Sequence, residues 1–228
     1  MKKPVLHIFV FAVATVALAT EAFAGRRDRE GFNFGTSFGY ETGQDRNFAS
    51  DSSSTKSNVD SSSSSVSPYI GVVISDYFNL GISSIFRTAS THDREHNLAS
   101  NQRIERDKQV NTKAVSLFTR FLFGETMFFE LGAGLYDQSL NIHNEYLSDF
   151  DNGAFNGQRE DYTVRGIGTG YHMGGGVEIP INRGFYFTSS YIVRVYNLRN
   201  YRGNGDLGAK VGYNQKRDIS FGLSHYVQ

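Results

Sequence analysis

The feature that most limits what this chain can fold into is a period-two alternation of side-chain size, repeated along most of its 228 residues. Phe32, Phe34, Thr36, Phe38 and Tyr40 fall on one face of an extended segment, and Asn33, Gly35, Ser37 and Gly39 on the other. Successive side chains of a β-strand point to opposite faces, so the pattern specifies strands rather than helices, whose apolar positions recur every three or four residues. Eight such runs are legible, at about 31–41, 65–75, 78–88, 112–123, 127–137, 162–179, 185–197 and 216–227. Three pairs of runs are joined by short turns: Asp76-Tyr77, Gly124-Glu125-Thr126, and Pro180 to Gly184. The other four connections, about 42–64, 89–111, 138–161 and 198–215, are long and polar.

The short turns predict register. Closing the second hairpin around Glu125 sets Phe123 against Met127, Phe121 against Phe129, Thr119 against Leu131 and Leu117 against Ala133. The opposite face then pairs Phe118 with Gly132, Ser116 with Gly134 and Arg120 with Glu130. Closing the first around Asp76 pairs Ile74 with Phe78, Val72 with Leu80 and Ile70 with Ile82. Closing the third around Asn182 pairs Ile179 with Phe185, Val177 with Phe187 and Met173 with Tyr191. Each closure gathers large apolar side chains on one face, as cross-strand pairing requires. The expected fold is therefore all-β, an eight-stranded antiparallel up-and-down barrel.

Charge decides which face is inside. Within strand cores taken as 31–40, 66–75, 78–88, 112–123, 127–136, 164–179, 185–196 and 219–227 lie seven charged residues, Arg87, Lys113, Arg120, Glu130, Arg165, Glu178 and Arg194. The less apolar face is largely Gly35, Ser37, Gly39, Gly71, Gly81, Gly132, Gly134, Gly170, Gly174 and Gly176, with little of the Lys, Glu and Thr a water-facing sheet carries. Small side chains suit the narrow interior of an eight-stranded barrel, which must be filled. Cores of about ten residues match the length a tilted strand needs to cross a bilayer. The apolar face is thus expected outward, in lipid, with Phe32, Phe78, Phe123, Met127, Phe185 and Tyr226 as an aromatic girdle at the short-turn end. Tyr40, Tyr171 and Tyr191 would contribute to the other girdle. Arg120, Glu130, His172, Glu178 and Arg194 are expected to form a polar network in the lumen. Its plain role is to satisfy charges that hydrocarbon does not tolerate; its alternative role is a plug across a small pore.

The N-terminus carries an address. Lys2 and Lys3 precede an apolar stretch from Val5 to Ala19, and Ala22-Phe23-Ala24 offers small residues at the positions a signal peptidase reads. Cleavage after Ala24 divides the chain into a signal peptide, 1–24, and a barrel domain, 25–228. The absence of Cys excludes disulfides and thiolate metal sites, and the balance of 23 basic against 23 acidic residues gives no broad attraction to nucleic acid.

Several local motifs read as structure. Gly35-Thr36-Ser37-Phe38-Gly39 matches G-x-S-x-G but lies inside an alternating strand, whereas a nucleophile elbow is a strand-to-helix turn. His92-Asp93-Arg94-Glu95-His96 matches H-x-x-E-H, resembling the inverted zinc-peptidase motif, yet it falls in a polar connection and reads as a solvated loop. Gly166, Gly168 and Gly170, and Gly174 to Gly176, have strand spacing rather than phosphate-loop spacing. Asp149, Asp151 and Asn152 are oxygen donors without a full calcium-loop pattern. Residues 50–67 contain eleven Ser and read as a flexible exposed loop. No catalytic residue, metal ligand or cofactor is assigned.

With its signal peptide, eight runs, three short turns, four long connections and final strand Ile219 to Gln228, the chain resembles the small outer-membrane β-barrel proteins of Gram-negative bacteria, of the OmpA transmembrane-domain, OmpX and OmpW type. The resemblance covers the chain beyond the signal peptide and is architectural. It implies residence in the outer membrane, contact with outer-membrane lipids and lipopolysaccharide, and insertion by the barrel assembly machinery through the C-terminal strand. That strand ends Tyr226-Val227-Gln228 rather than in Phe. The implied function is a monomeric, non-enzymatic structural or surface-interaction protein using its outward loops. A lipid A-modifying barrel enzyme and a narrow pore for ions or small solutes are the alternatives. For the enzyme, Ser224 and His225 are the adjacent candidates, on opposite faces.

Overall fold

The computed structural model describes residues 31–49, 57–75, 77–97, 102–124, 126–148, 154–182, 184–203 and 209–227. The signal peptide, residues 50–56 of the Ser-rich segment, and Asp149, Asp151 and Asn152 lie outside the described residues. Eight strands run β1 (Gly31–Ala49), β2 (Ser57–Ser75), β3 (Phe78–Asn97), β4 (Gln102–Phe123), β5 (Met127–Ser148), β6 (Ala154–Asn182), β7 (Phe185–Gly203) and β8 (Ala209–Val227). Each pairs antiparallel with its neighbours in sequence, and β8 returns to β1, so the sheet closes into a barrel.

The register can be followed around the wall. Stepping between paired residues from Asn33 through Gly71, Gly81, Phe118, Gly132, His172, Arg194 and Lys216 returns to β1 at Gly43, ten residues further along. A stagger of that size around eight strands tilts them by about 40° from the barrel axis. Each residue then advances about 2.5 Å along the axis, so about ten residues cover the ~25 Å apolar band of a membrane barrel.

The second hairpin has the expected register throughout, including Arg120 opposite Glu130. The first keeps Val72 opposite Leu80 and Ile70 opposite Ile82, but the register shifts beside its turn. Ser75, not Ile74, opposes Phe78. The third is displaced by two residues: Ile179 faces Phe187, Val177 faces Ser189 and Met173 faces Val193, with a shift between Pro180 and Asn182. A two-residue slip preserves the faces, so the inside and outside sets are those expected even though the partners differ. Gly124 takes φ of 59° and Gly184 of 77°, the left-handed backbone that tight turns demand and glycine supplies without strain.

The strands are longer than their apolar cores. Residues 42–49, 57–64, 89–97, 102–111, 138–148 and 154–161 continue as paired strand, where irregular loops were expected. Polar residues in these stretches retain period two, and the ladder satisfies their backbone groups as well as water would. The Ser-rich segment is therefore largely part of β2, with Ser63, Ser65 and Ser67 buried in the lumen.

The outer face is apolar around the circumference. Phe34, Phe38, Ile70, Ile82, Leu117, Leu131, Leu135, Met173, Phe221 and Leu223 all stand exposed there. Such a surface is stable in hydrocarbon, and across the apolar band the closed wall leaves no sheet edge facing lipid. Phe32, Phe123, Met127 and Phe185 are exposed at the short-turn end, and Tyr40 and Tyr171 toward the other. Tyr226 is an exception to the expected girdle. It shares the parity of Ser224, points inward and is buried.

Candidate functional site: the lumen

The inward side chains fill the barrel. Large residues face small ones across the lumen: a Cβ on Gly170 would lie 2.4 Å from the Cβ of Tyr196 and 2.8 Å from the Tyr136 ring. Those two tyrosine rings stack at 4.4 Å between centroids. Ile85, Ala114 and Leu198 complete this apolar plug.

Among the described residues, two ionic clusters lie in the lumen. In the first, Arg120 Nε and Nη2 donate to Glu130 Oε2 at 3.1 and 2.8 Å, while Nη1 donates to Glu178 Oε1 at 2.7 Å. Tyr226 donates its hydroxyl to Glu178 Oε2 at 2.8 Å, and His172 Nε2 lies 3.3 Å from Glu130 Oε1. The guanidinium carbon stands 4.2 Å from the Phe128 ring centroid and 4.9 Å from that of Tyr69. A planar cation held by three charge-assisted bonds and bracketed by ring faces has its geometry fully specified.

In the second, Arg194 Nη1 donates to Asp218 Oδ2 at 2.7 Å and lies 3.8 Å from Glu41 Oε2. Arg87 Nη1 is 3.1 Å from Glu41 Oε1, its Nε donates to Ser63 Oγ at 2.6 Å, and Nη1 also donates to the Tyr196 hydroxyl at 3.3 Å. Lys216 is fully buried in the lumen. Among the buried side chains, Arg87, Arg120, Arg194 and Lys216 meet Glu41, Glu130, Glu178 and Asp218, a balance of charge. Such balance is what a low-dielectric interior requires of ionised groups.

Of the residues expected in one network, Arg120, Glu130, Glu178 and His172 come together, whereas Arg194 belongs to the second cluster. Glu41, Asp218, Lys216 and Tyr226 are partners that sequence reasoning missed. Glu41 and Asp218 stood just beyond the expected strand cores, yet each continues the inward parity of its strand, and that was the available signal. Between the clusters remains a cavity of about 40 Å³, bordered by Ser37, Ser67, His172, Thr188 and Ser190. It has room for water, not for a solute path.

The other candidates separate. Ser37 lies inside β1 and borders this cavity, not a strand-to-helix turn. Ser224 faces the lumen beside Thr188, at 3.3 Å between hydroxyls, while the His225 ring stacks at 4.0 Å on Phe185 outside. They do not share a site. His92 and His96 lie on β3, where four residues span about 13 Å, rather than on adjacent turns of a helix. Among the described residues no group of three His, Asp or Glu gathers to hold a metal ion.

A closed wall, an apolar exterior and a charge-balanced, filled interior define a small eight-stranded membrane β-barrel. In fold it is similar to Neisserial surface protein A, at TM-score 0.48 and 14% identity over 87% of this chain and all of that one. It is likewise similar to Ail, the attachment invasion locus protein of Yersinia pestis, at TM-score 0.49 and 12% identity over 86% and 99%. The outer membrane protein OprG from Pseudomonas aeruginosa gives TM-score 0.47 and 10% identity over 88% and 99%. At these identities the likeness is one of fold alone. No family model matches the chain, and no curated protein matches it.

Proposed function

We propose that the chain is an integral protein of the bacterial outer membrane, acting as a structural and surface-interaction protein rather than as a pore or an enzyme. The observation that carries this reading is the division of its side chains: apolar residues face out over a membrane-deep band, and balanced ion pairs close the lumen. With the bore occupied, the surfaces left for partners are the strand extensions beyond the band. Those extensions stand among lipopolysaccharide headgroups, and β8, which closes against β1, is the strand offered to the assembly machinery. Within the membrane band the wall is closed and offers a second copy no strand edge, which suits a monomer.

Fractionation of cells expressing the full chain is expected to place it in the outer membrane, with heat-modifiable migration in detergent gels. Planar-bilayer recordings of the purified protein should show no stable conductance. Recovery in the soluble periplasm would overturn the membrane assignment, and steady unit conductance would favour the narrow pore.

A further inference from the structure

Beyond the membrane band, the outward face of β3 to β6 carries two consecutive cross-strand rows of polar residues. The lower row pairs Ser90 with Gln109, Gln109 with Asn141 and Asn141 with Thr163. The upper row alternates imidazole and carboxylate: His92 opposes Asp107, Asp107 opposes His143, and His143 opposes Asp161. These eight residues border a cleft of about 540 Å³. They share parity with Phe86, Val115, Leu135 and Ile167, which are exposed on the lipid side of the same strands. Lys108 and Ile142, of inward parity, complete the lining from behind, and with eight of its ten bordering residues facing outward the cleft opens toward the leaflet.

We infer that this cleft binds saccharide, specifically the core sugars of an outer-leaflet glycolipid. Height supports the assignment. At about 2.5 Å of axial advance per residue, the rows stand about 10 to 20 Å above the last apolar outward positions, beyond the lipid tails and level with headgroup sugars. Chemistry supports it too. Amides, hydroxyls, imidazoles and carboxylates spaced at ~4.8 Å across strands offer paired donors and acceptors, the arrangement that vicinal sugar hydroxyls match. The upper row is held in place before any ligand arrives. His92 Nδ1 lies 2.6 Å from Asp107 Oδ1, and His143 hydrogen-bonds Asp161 through Nδ1 and approaches Glu145 with Nε2 at 3.4 Å. Both Nδ1 atoms are thus engaged with carboxylates, and among the described residues no triad of ligands converges for a metal. Ordered polar groups lose little entropy on binding, which favours a ligand held by hydrogen bonds.

This inference rests on the outer-membrane reading, and its test keeps the two apart. The full chain, folded in detergent micelles, is titrated with lipopolysaccharide carrying a complete core, with deep-rough lipopolysaccharide lacking most core sugars, and with the delipidated core oligosaccharide. Complete-core lipopolysaccharide is expected to bind at least about tenfold more tightly than the deep-rough form, with the free oligosaccharide competing. Gln109→Ala with Asn141→Ala should abolish that preference while heat-modifiability persists. Equal binding of both lipopolysaccharides, insensitivity to the two substitutions, or binding that vanishes with EDTA for every probe would overturn the cleft and leave the membrane assignment standing. Binding of unrelated soluble glycans without binding of the core would overturn the leaflet-lipid assignment. A chain recovered soluble and not heat-modifiable loses both.

Discussion

Replacing Arg120 by Met tests whether the first luminal cluster is a mutually compensated unit. The substitution removes three hydrogen bonds, two to Glu130 and one to Glu178, and the ring contacts with Phe128 and Tyr69. It leaves Glu130 at 5% exposure and Glu178 at 0% without their cation. Charge-assisted bonds contribute about 1.5–3 kcal/mol each, but the methionine side chain retains part of the packing. One-sided removal of a buried ion pair costs about 3–5 kcal/mol, and that range is expected here. With a urea dependence near 2 kcal/mol per molar, the unfolding midpoint in liposomes should fall by about 2 M. The decisive comparison is Arg120→Met combined with Glu130→Gln and Glu178→Gln. If the single loss comes from stranded carboxylates, removing their charge as well restores stability to within about 2 kcal/mol of the original protein. A single variant costing less than about 1 kcal/mol, or a triple variant no better than the single, would refute the reasoning.

Three further outcomes follow from other parts of the barrel. Ile70→Arg places a charge on the lipid face near the middle of the apolar band, where Ile70 is 56% exposed, and should cost about 2–4 kcal/mol in liposome refolding; a water-facing wall would tolerate it without loss. Gly170→Val drives a side chain into Tyr196 and Tyr136 and should destabilise by about 1–3 kcal/mol, which Tyr196→Ala in the same chain should partly relieve; additivity of the two losses would count against the contact. Hydrogen bonding to Asp161, joined by Glu145, raises the His143 pKa above its ordinary value. The stabilisation is then fully present below the unfolded-state value and lost as pH rises through the higher folded one. Amide protection factors in residues 140–146, corrected for the base-catalysed intrinsic exchange rate, should accordingly be higher at pH 5.5 than at pH 8.5, and Asp161→Asn should flatten the difference.

Particular residues separate what was legible in the chain from what was not. The pairing of Arg120 with Glu130 was readable because a three-residue turn leaves almost no freedom in register. Arg194 was placed in the same lumen correctly but in the wrong cluster. Its partners Asp218 and Glu41 lie 24 and 153 positions away along the chain; Asp218 is reached across the long β7–β8 connection, and Glu41 only by closure of β8 on β1. The His-Asp row was hidden for the same reason. His92 was visible within a local pentapeptide, whereas Asp107, His143 and Asp161 belong to three other strands.

The sequence by itself determined the strands, their number, the face of the residues along them, Tyr226 apart, and which face meets lipid. Side-chain parity is a local property of an extended backbone and survives even a two-residue slip such as that of the third hairpin. The tertiary structure decided how far the strands extend past the membrane and which charges share a cluster. It also decided which polar side chains line a common outward cleft. Those outcomes depend on the stagger of the closed barrel, ten residues around the circumference, which links positions that no local pattern relates.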